Sequence, residues 1–422
     1  MILQHRFRGK KMFLTTFFFI CIINSSHAYS VLTHEALIDA NWNNILLPLL
    51  KQKYPASTED ELKEAHAYAY GGAVIPDMGY FPGGSKLFTN LIHYVRTGDF
   101  VLALLNGAHN LDEYAFALGA LCHYEADKYG HRIGINPGVP IVYPKLERKF
   151  GNAITYEQNP VAHVRIEFSF DVLQTARGNY ATAIYHDYIG FKVARPVLEK
   201  AFLETYGIDV NDLFRNLSRT IGTFRWIVKD LFPIITRSAW ASKKGEIKKR
   251  IPGATGRRFI YTMHRKNYYR EYVTKEERPP FFANILSLFI RIAPKIGPLR
   301  VLKFKIPDAD AEKIFINSFD TTVANYSYYI GKLYNGPIAL SNIDFDTGLN
   351  TAPGEYGLAD KTYYELLMKL NDKQFATSTP ALQENILAFY IQYKPDTHTK
   401  RQIREWHNTE NALKQLRIKN GN

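Results

Sequence analysis

The segment LCHYEADKYGH constrains this chain more than any other, because it sets His123, Asp127 and His131 at i, i+4 and i+8. On a helix those spacings stack side chains along one face. A His-Asp-His row buried without partners is costly, since polar groups cut off from water lose free energy. Metal ions remove that cost, and imidazole and carboxylate are standard zinc ligands. A second pair follows in AHVRIE, where His163 and Glu167 are again four residues apart. Upstream, Asp77 falls in VIPDMGYFPGG at a helix exit, and His93 falls in NLIHY. Taken singly each residue says little: a lone histidine is more often a hydrogen-bonded core or surface group. An i, i+4 pair on a solvated face is worth only ~0.3 kcal/mol. The joint pattern carries the argument, with Asp127 placed between two histidines where it can bridge ions. His66, His109 and His186 are assigned no role.

The rest of the chain reads as mostly helical. Residues 33–54 place Leu37, Trp42, Ile45, Leu46 and Leu49 at helical spacings. Residues 57–74 open with Ser57 three positions before Asp60, then Glu61, a capping-like start, and should stop at Gly71-Gly72. A long helix is expected over 111–132, and Gly134, Pro137, Gly138, Pro140 and Pro144 then predict a loop. Helical patterns resume at 160–175, 195–206, 210–230 and 308–334, and period-2 alternation is scarce. The expectation is an all-α multi-helix bundle, with the polar cluster at one end of the helices around 111–132 and 161–174. Residues 336–422 add a helical C-terminal region of no assigned role, with a Gly/Pro/Asn-rich start over 341–354.

The first 28 residues read as a signal peptide. Arg6, Arg8, Lys10 and Lys11 precede an 11-residue apolar run, FLTTFFFICII, and Ser26 and Ala28 stand at the −3 and −1 positions of a cut. The run is too short to span a bilayer. Cleavage would remove four bases and no acid from a chain of net charge +13, leaving +9, and would make Tyr29 the first residue. It would leave Cys122 as the sole cysteine, so a disulfide framework is excluded. Export to a periplasm or the exterior is therefore expected. Cys122 itself is turned about 100° from His123 around a helix of ~3.6 residues per turn, and is read as core.

Residues 241–306 hold 17 Lys and Arg against four Glu and no Asp, interleaved with aromatics such as Tyr268, Tyr269, Phe281 and Phe282. That composition suits an anionic membrane surface, with apolar residues dipping in while bases meet phosphates. It also suits stacking of bases and contact with a nucleic-acid backbone. A helical face with solvated charges and a buried apolar side would look the same.

In the order His34, Asp77, His93, His123-x3-Asp127, His131, His163-x3-Glu167, the chain resembles the zinc-dependent phospholipase C family, which is related to single-strand-specific zinc nucleases. The likeness runs over roughly residues 29–170 and implies three zinc ions. Carried over residue by residue, it gives Tyr29, through its α-amino group and carbonyl, and His34 to one ion. Asp77, His93 and His123 would hold a second, with Asp127 bridging the two. His131, His163 and Glu167 would hold the third. Well-known members begin with Trp rather than Tyr. The four-residue step from Asp127 to His131 is shorter than the six of the best-studied enzymes. Glu167 matches the phospholipases, where the nucleases usually carry Asp.

The function implied is that of an exported zinc phosphodiesterase, cleaving phospholipid head groups with zinc-activated hydroxide. Asp77 would be both ligand and general base. A phospholipid or membrane surface is the expected partner; no protein partner is indicated. Two alternatives stand beside it: a zinc nuclease or nucleotidase of the same superfamily, and a non-catalytic, metal-stabilised helical envelope protein. The apolar block at 281–307 and Glu167 favour the lipid.

Overall fold

The computed structural model describes residues 30–180, 190–259, 301–393 and 399–419. The expected signal peptide, Tyr29, His186 and the 260–300 part of the basic aromatic segment lie outside the described residues. Among those described, the chain is helical apart from one short hairpin. No described helix is long and apolar enough to cross a membrane.

Helix α1 (Val31–Asn41) runs through a π-turn (Trp42–Leu46) into α2 (Leu47–Lys53), so the expected 33–54 helix is broadened at its middle. Helix α3 (Glu59–Val74) starts one residue later than the Ser57 cap suggested: Thr58 caps it, in a reciprocal box with Glu61. It also runs straight through Gly71-Gly72 instead of ending there. Those glycines are contact surface. A Cβ on Gly72 would lie 1.9 Å from the Phe116 carbonyl oxygen, and one on Gly119 would lie 2.0 Å from that of Ala69. They let α3 close on α6 (Leu111–Tyr129) backbone to backbone. Between them, a 3₁₀ turn (Ile75–Tyr80), α4 (Lys86–Tyr94) and α5 (Thr97–Gly107) complete the floor of the bundle.

Helix α6 is capped by Asn110, whose side chain accepts from Glu113 N. It gives way to a π-turn at Gly130–Ile135, then to α7 (Asn136–Val142) and α8 (Pro144–Phe150), where a loop was expected. The prolines are accommodated individually. Pro137 and Pro144 sit in first turns, which lack an intrahelical donor in any case. The Asn136 carbonyl that Pro140 cannot bond is taken by Ile154 N at 3.0 Å. Helix α9 (Pro160–Arg177) is capped by Asn159 and closed by Gly178. Helices α10 (Arg195–Tyr206), α11 (Leu217–Trp226) and α12 (Phe232–Arg250) follow, with a π-turn (Ile227–Leu231) joining the last two.

Helix α13 (Ala309–Leu333) packs along α6 and the π-turn after it. It is tied by Tyr326, whose hydroxyl donates to Leu118 O at 2.9 Å, and by Glu312, which pairs with Arg177 and Arg250. Then comes a hairpin that the sequence pattern does not announce, β1 (Ile343–Asp344) and β2 (Leu349–Asn350). The C-terminal helices are α14 (Gly357–Asp372), α15 (Pro380–Gln392) and α16 (Lys400–Lys419), and α14 packs on α4. In the described flanks of the basic segment, aromatics turn inward: Phe259 stacks on Trp240 at 5.1 Å and Phe304 meets Phe168 at 5.3 Å.

Candidate metal centre

The close pairing of α3 and α6 fixes the first ligand-type side chain. His123 Nδ1 lies 2.9 Å from the carbonyl oxygen at Ala73, near the end of α3. On α4, His93 Nδ1 lies 2.9 Å from the Thr89 carbonyl one turn back. A carbonyl can only accept, so each ring donates from Nδ1 and turns Nε2 inward, the nitrogen a metal would take. Both Nε2 atoms are buried and make no hydrogen bond, and the same holds for both oxygens of Asp127.

Around these atoms the side chains converge. His123 Nε2 is 3.1 Å from Asp127 Oδ2, and His93 Nε2 is 3.4 Å from both Asp77 Oδ1 and Asp127 Oδ2. His34, from α1, reaches Asp127 Oδ1 at 3.5 Å and Asp77 Oδ2 at 3.9 Å, and its ring stacks on His123 at 4.5 Å. Donors held ~2.0–2.1 Å from a tetrahedral ion stand about 3.4 Å from one another, so most of these spacings are those of a shared ion. Two overlapping groups result, His34/His123/Asp127 and Asp77/His93/His123, with His123 common to both.

A third group comprises His131, His163 and Glu167. The π-turn widens the helix just where His131 sits, so His131 leaves the His123–Asp127 line and stacks on His163 at 4.9 Å. His163 Nδ1 pairs with Glu167 Oε1 at 2.6 Å, and Asn136 Oδ1 approaches His163 Nε2 at 2.9 Å. The eight expected ligands among the described residues thus all fall into these groups, and each is at most 2% exposed. His66 stands apart, stacked on Trp42 at 3.8 Å and paired with Asp39, and Cys122 is buried in the core.

The electrostatics favour added positive charge. Burial opposes a charged His93, yet the Asp127 and Asp77 carboxylates outweigh it and raise its pKa to about 10. Burial lowers the His131 and His163 imidazoles, leaving them neutral, the state that binds metal. Glu167 is pushed well up, first by burial and then by Asp77, Asp127 and Asp346. Buried carboxylates set this close to one another favour a compensating positive charge between them. The donor set of imidazole and carboxylate fits zinc.

Sequence reasoning missed what roofs the cluster. Phe345, at the tip of the hairpin, packs its ring on His93 at 5.3 Å and on His123 at 5.7 Å, and its N–H donates to His93 O at 3.0 Å. Asp346 Oδ1 stands 3.4 Å from His131 Nε2. Two Asp flanking a Phe in NIDFDTGLN was the only signal, and two-residue strands carry no periodicity. At the other side, half-buried Tyr156 meets His163 at 5.9 Å and Tyr80 at 6.4 Å.

Residues 33–216 match a family model described as zinc dependent phospholipase C. No curated protein and no solved structure matches the chain.

Proposed function

We propose that this protein, residues 33–216 of which match the zinc dependent phospholipase C family model, hydrolyses the head-group phosphodiester of phospholipids with three zinc ions. The observation that carries the reading is the convergence of eight buried ligand-type side chains, with Nδ1 of His93 and His123 anchored on carbonyls and Nε2 turned inward. His34, Asp77, His93, His123 and Asp127 would hold two ions and His131, His163 and Glu167 the third. The α-amino group of Tyr29 would join His34 once residues 1–28 are removed on export. Bound zinc supplies a water acidic enough to be deprotonated near neutral pH and offsets charge developing on the phosphoryl group.

The chain's own part is positioning and proton handling. Asp77, in the 3₁₀ turn and facing His93 and His34, accepts the proton of the attacking water. The water oxygen bonds to phosphorus as the phosphorus–oxygen bond to the glycerol side breaks, and the proton returns to the departing oxygen. Phe345 keeps bulk water off the His93–His123 side, which strengthens every charge interaction beneath it. The excess of Lys and Arg over 241–306 supports docking at an anionic bilayer surface.

The test is zinc content of the chain beginning at Tyr29, beside one carrying an extra residue before it, followed by assay on phosphatidylcholine vesicles and on single-stranded DNA. About three ions, one fewer in the extended form, with turnover of the vesicles alone, supports the proposal. Turnover of DNA alone makes the protein a nuclease of this superfamily. No zinc at saturating supply overturns the reading.

A further inference from the structure

The hairpin that roofs the cluster belongs to the region after residue 336, beyond the residues the family model matches. Its tip is held firmly. Gly348 adopts φ 65°, and a Cβ there would lie 2.3 Å from the Lys128 carbonyl oxygen, so the turn is seated on the last turn of α6. Thr97 Oγ1 accepts from Ile343 N at 2.8 Å and donates to Ile343 O at 2.9 Å. Asp344 Oδ1 accepts from Asp346 N at 2.8 Å and from Thr347 N at 3.2 Å, which closes the loop on itself.

The carboxylate of Asp346 is aimed by this frame. It is 3% exposed. Its Oδ2 accepts from two hydroxyls, Tyr94 at 2.9 Å and Tyr356. Those donors leave Oδ1 for His131, whose Nε2 is 3.4 Å away. The other ring nitrogen, Nδ1, faces His163 Nε2 at 3.3 Å, inside the third group. Asn136 links both halves, since its amide Nδ2 donates to the Asp346 carbonyl at 2.7 Å and its Oδ1 approaches His163.

We propose that Asp346 is a positioning residue of the third metal group: its Oδ1 faces His131 Nε2 and accepts from the N–H there, so that Nδ1 presents its lone pair to the ion shared with His163 and Glu167. A histidine bound to metal through one nitrogen normally gives its other N–H to a carboxylate or carbonyl, and here His93 and His123 use carbonyls while His131 uses Asp346. The metal centre therefore draws on the C-terminal region, whose role the sequence left open. The inference rests on the zinc reading above.

Its test is a competitive zinc titration of the full chain against a chromophoric chelator, resolved into stepwise affinities, with cobalt-substituted spectra alongside. In Asp346→Asn one ion should be held about 10–100-fold more weakly and the rest unchanged. In Tyr356→Phe, which loosens the carboxylate but keeps its charge, the same ion should weaken by less and its cobalt bands should shift. Unchanged affinities in a folded Asp346→Asn overturn the assignment, as does an equal loss at every ion, which marks a merely structural role. If Asp346→Asn does not fold, Tyr356→Phe decides by the same two criteria. A wild-type chain that binds no zinc overturns the function and this assignment together; a zinc-replete wild type with an indifferent variant overturns this assignment alone.

Discussion

Among single residues, the contrast between His123 and His66 separates ligand chemistry from packing. His123 belongs to two of the three groups, whereas His66 lies between Trp42 and Asp39. Replacing His123 with Ala should remove one zinc ion and cut phosphodiesterase turnover by about 10²–10³-fold, as loss of one group compensating transition-state charge commonly does. His66→Ala should leave zinc content and turnover alone while lowering stability by about 1–3 kcal/mol, the cost of a buried partner left unsatisfied. Elemental analysis, initial rates and denaturant melts of the two variants check both statements. The local spacings were legible in the sequence because a helix turns i, i+4 pairs into neighbours: His123–Asp127 and His163–Glu167 meet as read. Asp346 was not, because its relation to His131 depends on a tertiary contact between distant segments.

At the level of elements, small residues and helix ends decide how the site is held. The α3–α6 crossing tolerates no side chain at Gly119, where the obstructing atom is a backbone carbonyl that cannot rotate away. Gly119→Ala should cost about 3 kcal/mol, at the upper end of overpacking penalties, and should loosen zinc through the Ala73–His123 contact. Urea unfolding with and without zinc reads out both effects. The sequence showed the two glycines of α3 but not their use, since a terminating glycine and a packing glycine look alike without the partner helix. The first turn of α6 carries a pH effect as well. Asp112 is raised to about 6, by burial and then by Glu64, with Lys192 opposing. A carboxyl raised above its unfolded value stabilises the protein below about pH 4, and that contribution is lost as pH rises through about 6. Asp112→Asn should therefore melt higher than the parent above pH 6, with the gap narrowing toward pH 4. Melting curves across that range decide it.

For the whole molecule, metal and fold should be coupled. Each ion bound only by the native state stabilises it by about 4 kcal/mol at a thousandfold excess over its Kd. Chelation should lower the melting temperature by at least several degrees and abolish turnover together, and zinc should restore both; loss of stability without loss of activity would contradict an active-site role. The all-α architecture was legible from periodicity, and the described helices follow it closely over 160–177, 195–206 and 309–333. The hairpin and the helices at 136–150 were not, because their shape is imposed by neighbours: the Ile154 amide that serves the Asn136 carbonyl, and the α6 backbone that receives Gly348. The reach of the hairpin also sets an order of manufacture. Histidines from position 34 onward leave the ribosome long before Phe345 and Asp346, so a nascent chain halted near residue 335 would carry its cluster uncovered and wet. The roof arrives late, so the cluster is closed over only once the C-terminal region has been made and has docked.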